Sequence, residues 1–72
     1  MIGYKVKVNM MQKGKLKQTD IIYCEVRGKD LDEETIKRRL TNNIKTWQSA
    51  YNKNEIYKCN FEIVSYEKAK NN

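Results

Sequence analysis

The sequence predicts an α+β domain with the element order β-β-α-β. Apolar and polar residues alternate over positions 2–10, a second β-rich segment follows the glycine at position 14, and apolar residues recur every three to four positions over 36–51. Strict alternation is typical of a strand with one buried face, and the longer period is typical of an amphipathic helix. We therefore expect one helix packed on one face of a three-stranded antiparallel sheet.

The first two strands are predicted to form an antiparallel hairpin. The first covers residues 2–10 and buries its even positions. The second covers residues 17–27, is rich in β-branched and aromatic residues, and also buries its even positions. The glycine at position 28 ends this strand.

The turn of the hairpin has two candidate lengths. A two-residue turn at Lys13-Gly14 pairs even positions with odd ones, whereas a three-residue loop pairs even with even and sets Val6 opposite Ile22. Because a one-residue slip turns an apolar face outward, we expect the three-residue loop. This register leaves Asp20 opposite an apolar position, which a bulge at the preceding residue would relieve.

A helix is predicted over residues 32–51. Its apolar stripe, expected in the core, consists of Ile36, Leu40, Ile44, Trp47 and Tyr51. Two interpretations of its N-cap remain open: Asp30 with Glu33 as a capping box, or Asp32 with a hydrophobic staple. In both, acidic residues in the first turn interact favourably with the helix dipole.

The third strand is predicted over residues 55–66. Its helix-facing residues are expected to be Tyr57, Cys59, Phe61 and Ile63. Because the first strand alternates most regularly, we place it in the centre, which gives the order 2-1-3 with antiparallel neighbours. This order separates Cys24 from Cys59 by about 9–10 Å, beyond the reach of a disulfide, so two buried thiols are expected. The polar tail at 67–72 is expected to fray.

Composition limits the classes of function. The 72 residues suit a single domain (1–72), and they contain neither an apolar run of the ~20 residues that a transmembrane helix needs nor a signal-peptide core. We therefore expect a cytoplasmic protein. Histidine is absent and there are only two cysteines, which argues against a metal site and against the usual general base. No phosphate-binding loop or paired nucleophile and base is evident, so we expect no enzymatic activity, no cofactor and no small-molecule substrate.

Positive charge is concentrated near the N-terminus. The net charge is +6, and residues 1–19 carry five lysines and no acid. Such an asymmetry is typical of proteins that bind polyanions. The candidate nucleic-acid-binding residues are Lys5, Lys7, Lys13, Lys15, Lys17 and Arg27. The helix run Lys37-Arg38-Arg39 is a further candidate, with a solvated helix face as the alternative.

The sheet face opposite the helix, called the outer face below, is expected to be too apolar for a purely solvated surface. The candidate residues for a dimer interface on it are Ile21, Tyr23, Val64 and Tyr66. Three interpretations stay open: a solvated face covered by lysine stems, a homodimer interface, or a nucleic-acid platform on which Tyr23 or Tyr66 stacks with bases.

The length, the hairpin–helix–strand order and the pattern from Ile2 to Ile63 resemble the small YopT family of the SPbeta prophage of Bacillus subtilis. Asn, Lys, Ile and Tyr supply 32 of the 72 residues, which suits an AT-rich genome. The resemblance covers the whole chain and is one of size and plan. It implies three strands and one helix per subunit, a homodimer and no assigned activity.

Two functions are expected from these observations. The first is a non-enzymatic, small phage or prophage accessory protein that acts by binding a protein partner, as a homodimer and without a role at a membrane. The alternative is a nucleic-acid-binding regulator that uses the lysine-rich N-terminal hairpin.

Overall fold

The computed structural model describes residues 1–69 and shows the α+β architecture. The elements are β1 (Ile2–Gln12), β2 (Lys15–Val26), α1 (Glu33–Asn52) and β3 (Asn60–Lys68). The strands form one antiparallel sheet in the order β2-β1-β3, and α1 packs across one face of it. The predicted fold class and strand order are confirmed.

The pairing of β1 with β2 follows the predicted register. Val6 lies opposite Ile22, and the next inner pair joins Tyr4 to Cys24. Even positions of both strands therefore face α1, and Ile22 packs against the core as expected. Because β1 has a strand on each side, its register fixes which side chains share each face of the whole sheet.

The hairpin turn differs from the prediction. It has two residues, Lys13 and Gly14, with φ of 52° and 75°, which is the left-handed combination of a type I′ turn. The even-to-even register survives because the pairing shifts between Met10 and Met11, leaving Lys17 as an extra residue on β2. A bulge of this kind adds one residue to one strand, so it corrects the parity that the short turn would reverse.

The bulge lies two residues before the expected position, and Asp20 therefore stays opposite Val8. Its carboxylate is exposed and accepts a hydrogen bond from the N–H of Ile21 at 2.8 Å. The Asp20 carboxylate stays hydrated although its neighbour Val8 is apolar, because α1 does not cover this part of the edge strand.

The helix begins after Asp32, which decides between the two N-cap interpretations. The Asp32 carboxylate accepts a hydrogen bond from the N–H of Thr35 at 2.8 Å. Leu31 and Ile36, on either side of the cap, both pack against the core, as a hydrophobic staple requires. Asp30 lies outside the helix in a left-handed conformation with φ of 55°.

The apolar stripe of α1 is only partly buried. Leu40 and Ile44 are fully covered, but Trp47 is 52% exposed, so its predicted place in the core is wrong. In the second half of the helix, Gln48 accepts from the N–H of Phe61 in β3, Asn52 bonds the backbone just before that strand, and Tyr51 packs on the Phe61 ring with 5.6 Å between the centroids. This turns Trp47 towards the edge strand β2, where no further layer of structure covers it.

The third strand starts five residues later than predicted. The side-chain amide of Asn52 donates to the carbonyl of Cys59 at 2.8 Å and accepts from its N–H at 2.9 Å. Gln48 then accepts from the N–H of Phe61 at 2.8 Å. The end of α1 thus holds the chain at the entry to β3, and the preceding segment 55–58 forms a loop instead of a strand.

A bulge in β3 reverses the predicted direction of Tyr66. The pairing with β1 shifts by one residue at Val64, so beyond it the even positions face the helix. Tyr66 lies opposite Val6 and meets the edge of the buried Tyr4 ring, with 6.0 Å between the ring centroids. Its predicted place on the outer face is wrong because one extra residue changes the parity of the strand.

The fraying predicted for residues 67–72 is wrong for the part of that segment that the structure describes, residues 67–69. Residues 67 and 68 belong to β3, and the N–H of Ala69 donates to the carbonyl of Gly3 at 2.9 Å. The last three residues of that prediction lie outside the described part of the chain.

The core lies between β1 and the first three turns of α1. Its buried residues are Tyr4, Val6, Val8 and Met10 of β1, Cys24 and Val26 of β2, Leu40 and Ile44 of α1, and Cys59. Four of these nine side chains come from β1, which explains why the central strand has the most regular alternation in the sequence. No polar side chain is buried within residues 1–69.

We expect Gly28→Ala to destabilise the fold by about 1–3 kcal/mol. Gly28 has φ of 132°, and a Cβ there would lie 2.8 Å from the side chain of Leu31. Gly3→Ala is the matched control, because its Cβ would make only an ordinary contact with Ala69 at 3.6 Å. Urea denaturation of both variants measures the difference. Equal free energies of unfolding would contradict the conformation assigned to Gly28.

We expect Asp32→Ala to lower the Tm by about 5 °C, and Asp30→Asn, which keeps left-handed tolerance, to change it little. Hydrogen bonds from the side chain and the backbone of Thr35 hold the pKa of Asp32 below its ordinary value. The cap therefore contributes fully above about pH 4 and is lost as pH falls through the lower, folded-state pKa. Thermal unfolding measured from neutral to acidic pH should show the Tm of the wild type and the Tm of Asp32→Ala converge as the pH falls. A constant difference would contradict the cap.

Candidate functional site

The outer face carries charges of both signs. Its charged residues are Lys5, Lys7, Glu25, Glu62 and Glu67. Two lysines thus share the face with three carboxylates, and Lys5 lies directly between Tyr23 and Glu67. The bulge in β3 brings Glu67 to this face, where the sequence led us to expect Tyr66. This face has no excess of positive charge to attract a polyanion.

The four residues predicted for a dimer interface are not brought together. Ile21 and Tyr23 are neighbours on the outer face of β2, 53% and 66% exposed. Val64 is similarly exposed but lies on the opposite edge of the sheet, with β1 in between. Tyr66 points to the helix side. The structure therefore keeps Ile21 and Tyr23 as one exposed pair at the edge of β2.

An apolar groove runs along that edge, between β2 and the second half of α1. Its main lining residues are Ile21, Ile22, Tyr23, Trp47, Tyr51 and Phe61, and its volume is about 580 Å³. Trp47 forms the helix side of this β2-edge groove, and Ile22 lies on its strand side, while Ile21 and Tyr23 border the groove at the edge with their side chains on the outer face. Exposed aromatic side chains that line a concave apolar surface are typical of a site that a partner covers.

The two edges of the sheet are protected to different degrees. The β3 edge is interrupted by the bulge at Val64, and the N–H of Phe61 is occupied by Gln48. β2 has its own bulge at Lys17, near the hairpin tip, but its residues 18–26 pair with β1 without a further shift, and within them the N–H of Ile21 donates to the Asp20 carboxylate. Long edge strands with exposed apolar side chains readily pair with another strand. β2 is therefore the edge that is open to pairing.

Lysines gather at the end of the molecule where the hairpin tip meets the loop after α1. We call this surface the basic end; its lysines are Lys13, Lys15, Lys17, Lys53 and Lys58. The ammonium of Lys13 lies 4.6 Å from the ring centroid of Tyr57, and Lys17 donates to the hydroxyl of Tyr51 at 3.0 Å. Gln12 also donates to the carbonyl of Tyr57 at 3.3 Å, which ties the hairpin tip to the loop.

The basic end also surrounds the C-terminal end of α1. Lys58 donates to the carbonyl of Asn52 and, at 2.8 Å, to that of Glu55. These carbonyls lie at and beyond the last turn of the helix, where the dipole is negative and cations bind favourably. The hydrogen bond to the Tyr51 hydroxyl raises the pKa of Lys17, so its charge is retained at neutral pH.

The candidate nucleic-acid-binding residues fall into separate places. Lys13, Lys15 and Lys17 lie together at the basic end, whereas Lys5 and Lys7 lie on the mixed outer face. Arg27 follows the other end of β2, about 36 Å from the hairpin tip at the usual rise per residue.

The helix run Lys37-Arg38-Arg39 is not a single surface site. Arg39 donates to the carbonyl of Arg27 and so ties α1 to the end of β2. The side chains of Lys37 and Arg38 are exposed. This geometry gives Arg39 a structural contact and leaves the other two as solvated helix residues.

Two lysines of the basic end and Tyr57 were absent from the predicted site. A signal for them existed, because an antiparallel β1–β3 pair brings the start of β3 beside the end of β1, and therefore beside the hairpin tip. Lys53 and Lys58 both lie in the loop between α1 and β3, just before that start. The signal was hidden because residues 55–58 were assigned to the strand instead of to the loop that precedes it.

Both cysteines are buried, free thiols at 4% and 3% exposure, and they belong to opposite sides of β1. Burial raises the pKa of the Cys24 thiol, which lowers the fraction of reactive thiolate. Their surroundings are those of small core residues and not those of nucleophiles.

Other kinds of site receive no support from the described residues. Between Met1 and Ala69, no three His, Cys, Asp or Glu side chains gather to hold a metal ion. Over the same range, no helix combines the length and the apolar character needed to cross a membrane. Comparisons of the chain with protein-family profiles, curated proteins and solved structures found no match. The function is therefore argued from the β2-edge groove and the basic end.

We expect both thiols to resist DTNB in the folded protein at pH 8. Cys24 and Cys59 are reached only when the core opens, so the rate of reaction should follow the unfolding equilibrium. In guanidinium chloride both thiols should react at once, which is the internal control. Rapid reaction of either thiol under native conditions would contradict its burial.

Proposed function

We propose that this protein acts by binding, as a homodimer joined through the edges of two β2 strands, and serves as a non-catalytic accessory protein of the phage or prophage type. The contrast between the two sheet edges carries this proposal: β3 is interrupted in its middle and partly capped, whereas the bulge of β2 lies near the hairpin tip and leaves residues 18–26 as a continuous open edge. The resemblance of size and plan to the prophage family, which implies a homodimer, supports the same conclusion.

Half of the large apolar side chains that are exposed within residues 1–69 lie on β2 or face its edge, where a second strand would pair. Leu16, Ile21 and Tyr23 of β2 are each more than half exposed, and Trp47 faces the same edge at 52%. Large apolar side chains that are grouped at one edge lose unfavourable contact with water when a partner covers them. The removal of this surface from water supplies a driving force for association.

A second copy of this chain fits the edge by symmetry. Two β2 strands related by a two-fold axis run antiparallel, so the same row of backbone groups serves both partners. A pairing centred on Ile21 sets this residue against its own copy and sets Thr19 against Tyr23 of the partner subunit. Such cross-strand pairs of β-branched and aromatic side chains stabilise antiparallel sheets. The N–H of Ile21, which donates to the Asp20 carboxylate in the single subunit, then donates to the backbone of the partner strand instead.

Pairing also completes the cover over the inner face of β2. One helix, about 10 Å wide, is narrower than a three-stranded sheet of about 14 Å, so the edge strand is left partly bare. In a continuous six-stranded sheet the two helices lie side by side on one face. Trp47 of each subunit then projects into the seam above the paired strands, and the two β2-edge grooves merge into a shared, covered space.

One chain has a mass of 8.6 kDa, and sedimentation equilibrium at micromolar concentration should therefore give a mass twice as large. Trp47 is the one tryptophan of the chain, so its emission should shift to longer wavelength when the dimer dissociates on dilution. We expect Ile21→Lys to weaken the dimer about 10-fold, because it replaces an apolar cross-strand pair on the outer face with two like charges directly opposite each other.

Val64→Lys is the matched control, since Val64 is exposed to the same extent, 51% against 53%, but on the other edge. It should leave the mass and the Trp47 emission unchanged. A monomeric wild-type protein, or equal dissociation by both variants, would contradict pairing through β2.

A further inference from the structure

We infer that the basic end binds single-stranded nucleic acid, with its lysines on the phosphates and Tyr57 stacking on a base. This inference goes beyond the proposed dimer and does not rest on it. The surface lies at the hairpin tip and the loop after α1, whereas the strand pairing is centred on Ile21, and Lys17 is the one basic-end lysine within its reach.

The charge of the molecule is concentrated at this end. Residues 12–17 and 51–60 contain five lysines and one acid, Glu55, whereas the rest of the chain carries ten basic and eight acidic residues. The fold brings these two short segments together although they are far apart in sequence. A local excess of this kind attracts a polyanion and is the electrostatic feature expected of a phosphate-binding surface.

The lysines are positioned by neutral groups, so their charge remains available. Lys13 lies over the Tyr57 ring, Lys17 bonds to the Tyr51 hydroxyl, and Lys58 bonds to backbone carbonyls. None of these contacts neutralises an ammonium group as a carboxylate would. Each ammonium has three N–H donors, so the single contacts of Lys13 and Lys17 and the two of Lys58 leave at least one donor on each to meet phosphate oxygens. The side chains are thus partly ordered before a ligand arrives.

Tyr57 provides a surface for a base within this cluster. Its ring is 57% exposed, and Lys13 covers only one side of it at 4.6 Å. An aromatic side chain beside a basic groove is the usual arrangement for binding single strands, because every base has a π face. Stacking of this kind is tolerant of sequence, so we expect affinity for single strands without strong sequence preference.

The shape of the hairpin argues against a duplex. β1 pairs with β3 as far as Met11, so only the pair Gln12–Lys15 and the two-residue turn project beyond the sheet. A ribbon this short does not reach the floor of a major groove, which is about 8.5 Å deep. Bases that are already unstacked in a single strand are accessible to Tyr57 without such an insertion.

Fluorescence anisotropy with a labelled oligothymidine and a labelled duplex of equal length tests the inference in the full-length protein. We expect tighter binding of the single strand, with an affinity that falls as salt rises. Lys13→Gln, Lys15→Gln and Lys53→Gln together should weaken binding about 10- to 100-fold in low salt and reduce the slope of log K against log salt by about 2. The triple change Lys7→Gln, Lys29→Gln and Lys37→Gln removes the same charge elsewhere and should have little effect.

Tyr57→Ala separates stacking from charge. It should weaken binding of the single strand about 10-fold, whereas Tyr57→Phe, which keeps the ring, should bind like the wild type. Thermal unfolding and Trp47 emission verify that each variant is folded.

Several results would overturn the inference. They are an absence of binding in low salt, equal losses in the two lysine triples, and a duplex affinity that matches or exceeds that of the single strand. The inference also fails if vesicles that contain phosphatidylserine bind the protein while the oligothymidine does not.

Discussion

The structure depends on the alternation of side chains along β1. This strand contacts both other strands, and its four even residues from Tyr4 to Met10 are buried on the helix side, where Leu40 and Ile44 of α1 pack with the first three of them. Because side chains alternate strictly in a strand, burying these four fixes one face of the central strand and, through pairing, the inner face of its neighbours. The helix, the edges and every surface residue take their positions from this one face.

Single inserted residues modify that pattern at two places. Lys17 in β2 restores the parity that a two-residue turn would reverse, so the predicted register was right although the predicted loop was wrong. Val64 in β3 has the opposite consequence, because it turns Tyr66 inward and Glu67 outward. A bulge leaves little trace in a sequence, since it depends on which residue the partner strand leaves unpaired. This is why the fold was predictable while part of the surface was not.

The polar contacts made by α1 limit prediction in a similar way. Periodicity identified Leu40 and Ile44 correctly, because both lie over the central strand. It failed at Trp47, since Gln48 and Asn52 reach the backbone at the entry to β3 and leave the tryptophan facing an uncovered edge. Amides that bond to a backbone do not stand out from solvated amides in a sequence. The late start of β3 and the exposure of Trp47 thus share one cause.

The same geometry explains why two surfaces with different properties arise in so small a domain. A β-β-α-β chain with β1 in the centre must bring the hairpin tip, the end of the helix and the start of β3 to one end of the sheet. The lysines there come from segments that are distant in sequence, and the hydrogen bonds that unite them involve tyrosines and carbonyls instead of acids. The sequence showed the excess of lysine near the N-terminus, but only the strand order shows which lysines meet. Because the apolar edge of β2 lies along the sheet and the basic end lies across its tip, association through one surface leaves the other exposed.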